Sequence, residues 1–266
     1  MSSPRVCLLN NGSMAIDGYK IFWNRGPGGD VRFPVYTTLI EHDDGLFVFD
    51  TGFDLEHMNK YIPHDQPIQT ADQTVPAQLA LAGYRPEDVT HVINSHLHID
   101  HTGGNKYFPN AVFVCHEQEY EAAKNPELFE RMSYSCIGFA HQLAGQRPDL
   151  PSEIDSGLTP RFELLRGDVE LFPGITLFET PGHSGGHYSL MVELQGRRPM
   201  IFTGDAAMTP RSVAEVIVGG FHLDPVKATR SLQRLQSLSE EHNAELFCSH
   251  HMETFESWVK APDWYA

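Results

Sequence analysis

At 266 residues, 41% hydrophobic and 20% charged, the chain is long enough to bury a sizeable core and ordinary enough in composition for one α/β domain spanning 1–266. A formal net charge of −16, relieved by no basic stripe longer than Arg197-Arg198, argues against a nucleic-acid partner, and no stretch approaches the ~18 apolar residues of a membrane helix. The first residues hold only a brief apolar run, and Cys7, Cys115, Cys136 and Cys248 form no Cys-x-x-Cys pair, so a cytoplasmic protein without a disulfide framework is expected.

In chain order, β-branched and aromatic runs bounded by Gly, Asp and Pro predict strands at 5–9, 37–41, 46–50, 91–95, 112–115, 175–180, 189–194, 200–203 and 245–249. Helical patterns fall between them at 75–83, 116–124 and within 126–144. The clearest begins at Asp224-Pro225, a capping Asp followed by proline at the first helical position, with Val226, Leu232, Leu235 and Leu238 marking one face. Loops are expected at 25–30 and 146–160, and the mixture points to a layered α/β or α+β fold. Segments 38–50 and 189–205 share a pattern of strand, Gly-containing turn, strand, then Asp. Either these are two ordinary hairpins or they mark a duplicated half-domain.

Chemistry concentrates in His96-Leu97-His98-Ile99-Asp100-His101, directly after a predicted strand. Three imidazoles and a carboxylate so close together are costly to bury without a cation, and they are ligands that zinc, iron(II) and manganese accept. Further candidates also stand at predicted strand ends: His183 in Pro181-Gly182-His183, Asp205 after Gly204, and His250 after Ser249. Together these seven groups are enough for two divalent metal ions sharing one carboxylate, with zinc the expected metal.

Taken in order, Asp50-Thr51-Gly52, the His96-x-His98-x-Asp100-His101 run, Pro181-Gly182-His183, Gly204-Asp205 and Ser249-His250 resemble the motifs of the metallo-β-lactamase superfamily over almost the whole chain. The resemblance implies a four-layer αββα sandwich of two related halves. It implies that His96, His98 and His183 hold one metal, that Asp100, His101 and His250 hold the other, that Asp205 bridges them, and that Asp50 orients a ligand histidine from outside. Within the superfamily the chain looks most like the small lactonases, N-acyl-homoserine lactonases and especially 4-pyridoxolactonases, the latter resemblance resting on Phe22-Trp23-Asn24-Arg25-Gly26-Pro27-Gly28-Gly29, Gly104 to Pro109, Gly186-His187-Tyr188-Ser189-Leu190 and Phe221-His222-Leu223-Asp224-Pro225. The implied reaction is the opening of a small cyclic ester by a hydroxide held between the metals, with Asp100 shuttling the proton.

Two positions depart from that branch. Met208 stands where these lactonases carry a tyrosine three residues after the bridging Asp, and Met208 cannot donate a hydrogen bond; His251 stands where they usually carry Asp. His222 is the nominee for the missing donor, and Trp23, Arg25, Met208, Phe221 and His222 are the candidate substrate-binding residues. Arg25 equally suits anchoring a Gly-rich loop. The same metal ligands serve thioesterases resembling glyoxalase II and phosphotriesterases, which are the alternative readings; a metal-binding protein without catalysis is the more remote one. A small molecule is the expected partner, with a homodimer left open.

Overall fold

The computed structural model describes residues 4–134 and 161–266. Two sheets are formed. The first runs β1 (Arg5–Asp17), β2 (Asp30–His42), β3 (Gly45–Phe49), β4 (His91–Ile93), β5 (Val112–His116) and β6 (Arg161–Leu165) in spatial order. The second contains β7 (Val169–Phe172), β8 (Ile175–Glu179), β9 (Tyr188–Val192), β10 (Met200–Phe202) and β11 (Glu245–Phe247), ordered β11-β10-β9-β8-β7. Helices are α1 (Leu55–Tyr61), α2 (Val75–Leu81), α3 (Ile99–Thr102), α4 (Glu117–Lys124), α5 (Pro210–Ala214), α6 (Pro225–Glu241) and α7 (Met252–Ser257).

Successive residues of the central strands point to opposite faces, and both faces are covered, which is why these strands read as unbroken apolar runs. Val6, Leu8, Ile40, Phe47, Phe49, Ile93 and Val114 meet Leu177, Leu190, Val192, Met200, Phe202 and Phe247 between the sheets. Their neighbours Cys7, Leu9, Leu39, Val48, Val92, Phe113 and Cys115 face outward with Val75 and Leu79 of α2 and Ala123 of α4. On the far side, Met191 and Ile201 pack with Val213 of α5 and Leu232, Leu235 and Leu238 of α6. The result is the expected αββα sandwich.

Both halves repeat one topology. β2 pairs antiparallel with β3, which pairs parallel with β4; β9 pairs antiparallel with β10, which pairs parallel with β11. The two similar segments thus occupy equivalent places, each ending at an acidic residue, Asp50 or Asp205.

Several sequence expectations need correction. β1 and β2 are 13 residues each, far longer than their apolar stretches, because their polar ends pair with one another past an irregularity between Asn10 and Ser13. β6 and β7 carry charged, partly exposed residues at sheet edges and so lack the core strands' signal. Helices of four to seven residues, α1, α3, α5 and α7, are too short to display a period. Val226 is 60% exposed rather than on the buried face of α6, which is Ala228, Ser231, Leu232, Leu235 and Leu238. Two residues before Ala228, it projects from the other side of the helix. Of the helix expected within 126–144, Arg131–Tyr134 forms a short 3-10 turn. The remainder beyond 134, and the loop at 146–160, lie outside the described residues.

Candidate metal centre

β3, β4, β10 and β11 each stop one or two residues before the predicted strand end, and the chain beyond them enters the site. Parallel pairing places equivalent ends side by side: Phe49 beside Ile93 and Phe202 beside Phe247. Asp50 therefore meets the segment carrying His96 and His98 and helix α3, which carries Asp100 and His101, while Asp205 meets His250. His183 arrives from the β8–β9 connection. That connection is held against α6, since the Asp224 N–H donates to the Gly182 carbonyl, Leu223 N–H to the His183 carbonyl, and the Ser231 hydroxyl to the Pro181 carbonyl.

All seven nominated residues converge. One ligand atom each from His96, His98 and His183, and likewise from Asp100, His101, Asp205 and His250, lie within 4.8 Å of one another, and each group could hold a cation. His98 Nδ1 and His183 Nε2 are 3.1 Å apart; nitrogens ~2.0–2.1 Å from a tetrahedral zinc stand roughly 3.3 Å apart. Asp205 serves both groups with different oxygens. Its Oδ1 lies 3.0 Å from His250 Nε2 and 3.3 Å from His101 Nε2, and its Oδ2 lies 3.4 Å from His183 Nε2. Asp100 Oδ2 is 3.5 Å from His101 Nε2 and 3.7 Å from His250 Nε2.

Outer contacts select the free nitrogens. His101 Nδ1 pairs with Asp50 Oδ2 at 2.8 Å, and the same carboxylate accepts the Ser95 N–H and hydroxyl, each at 2.8 Å. Ser95 Oγ in turn lies 2.9 Å from His96 Nδ1. His250 Nδ1 donates to the Pro34 carbonyl at 3.0 Å. Each contact leaves Nε2 turned inward, the usual function of such partners. Gly204 must be glycine: its φ is +51°, and a Cβ there would come within 2.7 Å of His187 Nε2.

Electrostatics separate the two groups. Burial holds His96 and His183 well below the ordinary imidazole range and His98 down to about 4. At His101 and His250 the carboxylates of Asp100 and Asp205, joined at His101 by Asp50, outweigh burial and push both up. Reciprocally, His250, His101 and His183 overcome burial to hold Asp205 well below the usual carboxylate range.

Cations fit this donor set. Nε2 of His96, His101 and His250 and Oδ1 of Asp205 are buried without a hydrogen-bond partner. Leaving such groups unsatisfied costs about 1–3 kcal/mol apiece, and a shared cation would satisfy several at once.

The substrate-binding nominees separate. Met208 is buried at 5% exposure and lines a small space beside Asp205 with Ile21, Ile217, Val218 and His222. Phe221 sets its ring 5.8 Å from that of His183. His222 stands behind His183, its Nδ1 3.3 Å from His183 Nδ1 and its Nε2 accepting the Gly219 N–H at 3.0 Å. These contacts set His222 directly against a nominated metal ligand. Trp23 is 46% exposed, its N–H donating to the Val218 carbonyl. Arg25 is exposed, and its backbone N–H closes a turn onto the Phe22 carbonyl. His251 is the N-cap of α7, its Nδ1 accepting the Thr254 N–H, a task Asp also performs.

Sequence reasoning missed His187. Its Nε2 accepts the Asp205 N–H at 3.1 Å and its Nδ1 donates to Thr180 Oγ1 at 2.8 Å, continuing through Ser189 Oγ to the Thr203 carbonyl. Its place four residues after His183 was the available signal. Glu119, buried on α4, was missed too, and nothing in its helical context marks it.

A family model described as the metallo-beta-lactamase superfamily matches residues 30–250. The chain is 33% identical to the N-acyl homoserine lactonase AttM of Rhizobium radiobacter, with 100% of both chains covered. It is 30% identical to the N-acyl homoserine lactonase AiiA of Bacillus thuringiensis subsp. kurstaki, covering 99% of this chain and 100% of the other. Among solved structures, an N-acyl homoserine lactone hydrolase with its product N-hexanoyl-L-homoserine bound at the catalytic metal centre superposes with a TM-score of 0.81 at 26% identity, each chain fully covered.

Proposed function

The chain belongs to the metallo-beta-lactamase superfamily, and on that premise we propose that it is a dinuclear metal-dependent hydrolase that opens the ester ring of N-acyl homoserine lactones or closely related lactones. The observation that carries this reading is Asp205, whose two carboxylate oxygens face two separate ligand groups. In the proposed assignment His96, His98 and His183 hold one cation, Asp100, His101 and His250 hold the other, and Asp205 joins them. Imidazole and carboxylate donors suit zinc. Such ions supply Lewis acidity, activating water at neutral pH and polarising the ester carbonyl.

The chain's own residues then have distinct tasks. Asp50 and Ser95 hold the His101 and His96 rings, and Pro34 holds His250. Asp100, with 16% of its side chain exposed, is the carboxylate through which a proton passes to the departing alkoxide. Met208 and Phe221 present apolar surface beside the reacting groups.

A second substrate reading, an aromatic lactone such as 4-pyridoxolactone, rests on the stretches 22–29, 104–109, 186–190 and 221–225 that resemble 4-pyridoxolactonases. The test is a panel of acyl-homoserine lactones, 4-pyridoxolactone, aryl lactones, a thioester and a phosphotriester on zinc-reconstituted protein. Ring opening of an acyl-homoserine lactone well above the other classes is expected. Preference for the thioester or phosphotriester, or inactivity on every lactone, would overturn the proposal.

A further inference from the structure

Glu119 is a wholly buried carboxylate on an element that contributes none of the seven proposed ligands. It lies in the first turn of α4, whose start is capped by His116 Nδ1 accepting the Gln118 N–H. One carboxylate oxygen accepts the Leu97 N–H at 2.8 Å; the other accepts the Gly186 N–H at 3.0 Å. Leu97 stands between His96 and His98, and Gly186 stands three residues past His183. A single side chain thus ties together the loop from the first half of the molecule and the loop from the second half that jointly supply the three-histidine group. The second loop rests directly on α4: a Cβ at Gly186 would come within 2.4 Å of His116 Nδ1 and 2.8 Å of the Glu119 nitrogen. Among the described residues the other ligand group is supported from elsewhere, by Asp50 at His101 and the Pro34 carbonyl at His250.

Burying a carboxylate is expensive, and the bonds it accepts from the Leu97 and Gly186 N–H groups, joined by the Ser184 and Tyr134 hydroxyls, offset part of that cost while both loops stay in place. We propose that Glu119 is a positioning residue for the three-histidine group, its carboxylate setting the distance between the His96–His98 loop and His183, so that its loss weakens one metal site and spares the other. This rests on the ligand assignment proposed above. Glutamine at 119 would keep the shape but turn an NH2 donor toward one of the two N–H donors, releasing one loop. Aspartate would keep the charge but shorten the reach, so it cannot serve both.

The test compares wild type with Glu119→Gln and Glu119→Asp, each reconstituted with zinc, by metal content per chain across a chelator series and by the melting temperature of the metal-free proteins. Wild type should hold two zinc ions. Each variant should keep one with wild-type affinity and hold the other about 10–100-fold more weakly, the usual cost of an altered outer partner. Adding His250→Ala should then remove the tightly held ion. Retention of both ions at wild-type affinity, or parallel weakening of both in step with a lowered melting temperature, would overturn the inference. Wild type that binds fewer than two ions would instead overturn the ligand assignment. Should neither variant fold, hydrogen exchange on wild type decides: the Leu97 and Gly186 amides must exchange as slowly as sheet amides, and exchange at open-loop rates overturns the clamp.

Discussion

His96, His98 and His183 are three imidazoles that burial keeps neutral, whereas His101 and His250 share their pocket with Asp100 and Asp205 and are pushed toward the protonated form. The first group joins loops from both halves and is bound to α4 by Glu119; the second is steadied by Asp50 and by the Pro34 carbonyl. Neighbouring sites that take the same ion can therefore be limited by different things. One needs its donors held at the right separation. The other needs its protons displaced.

The largest effect should come from erasing the distinction. Asp205→Asn removes a charge that both groups face, so turnover should fall by more than the roughly 10–100-fold that an outer-contact change costs, with metal content below two per chain. Retained turnover at full metal loading would show that the groups act independently. Asp50→Asn should act most strongly at the His101 site, lowering affinity there about 10–100-fold and less at the other group, which Asp50 reaches only through Ser95 and His96, as resolved by chelator competition.

The comparison also has a pH form. In the metal-free protein the neighbouring carboxylates hold His101 well above and His250 above the ordinary imidazole value, favouring protonated forms whose protons an incoming metal must expel. Affinity at that site should fall as pH is lowered through neutrality. The first group, with His98 at about 4, is already deprotonated at pH 7, so its affinity should stay flat until the pH approaches that value. Titration calorimetry in buffers of different ionisation enthalpy should show release of on the order of one proton in one binding step and almost none in the other. Equal release in both steps would break the distinction.

Smaller effects are expected at the pocket wall. Met208→Tyr should raise kcat/KM on an acyl-homoserine lactone by up to about tenfold if the new hydroxyl reaches the substrate. Overpacking a buried position should cost about 1–3 kcal/mol of stability, read by denaturant unfolding. Smallest of all, His251→Asp should leave stability within about 0.5 kcal/mol, because either side chain can cap α7.

The sequence by itself determined the seven convergent residues and the alternation of strands and helices. Imidazole and carboxylate packed so densely at strand ends have few uses apart from a cation, and apolar runs covered on both faces are hard to mistake. The long helix after Asp224 was equally legible from its cap and proline. Only the tertiary structure decided the partners that act at a distance. Glu119 lies more than sixty residues from Gly186, and His187 reads as one histidine in a turn until Asp205 folds onto it. It also showed His222 in contact with His183 and the Gly219 N–H, partners that its place in the sequence does not reveal. The physical reason is one of range. Ligand type and strand period are local properties of the chain, whereas a buried hydrogen bond between distant loops exists only once two sheets have stacked and fixed which backbone groups must find a partner.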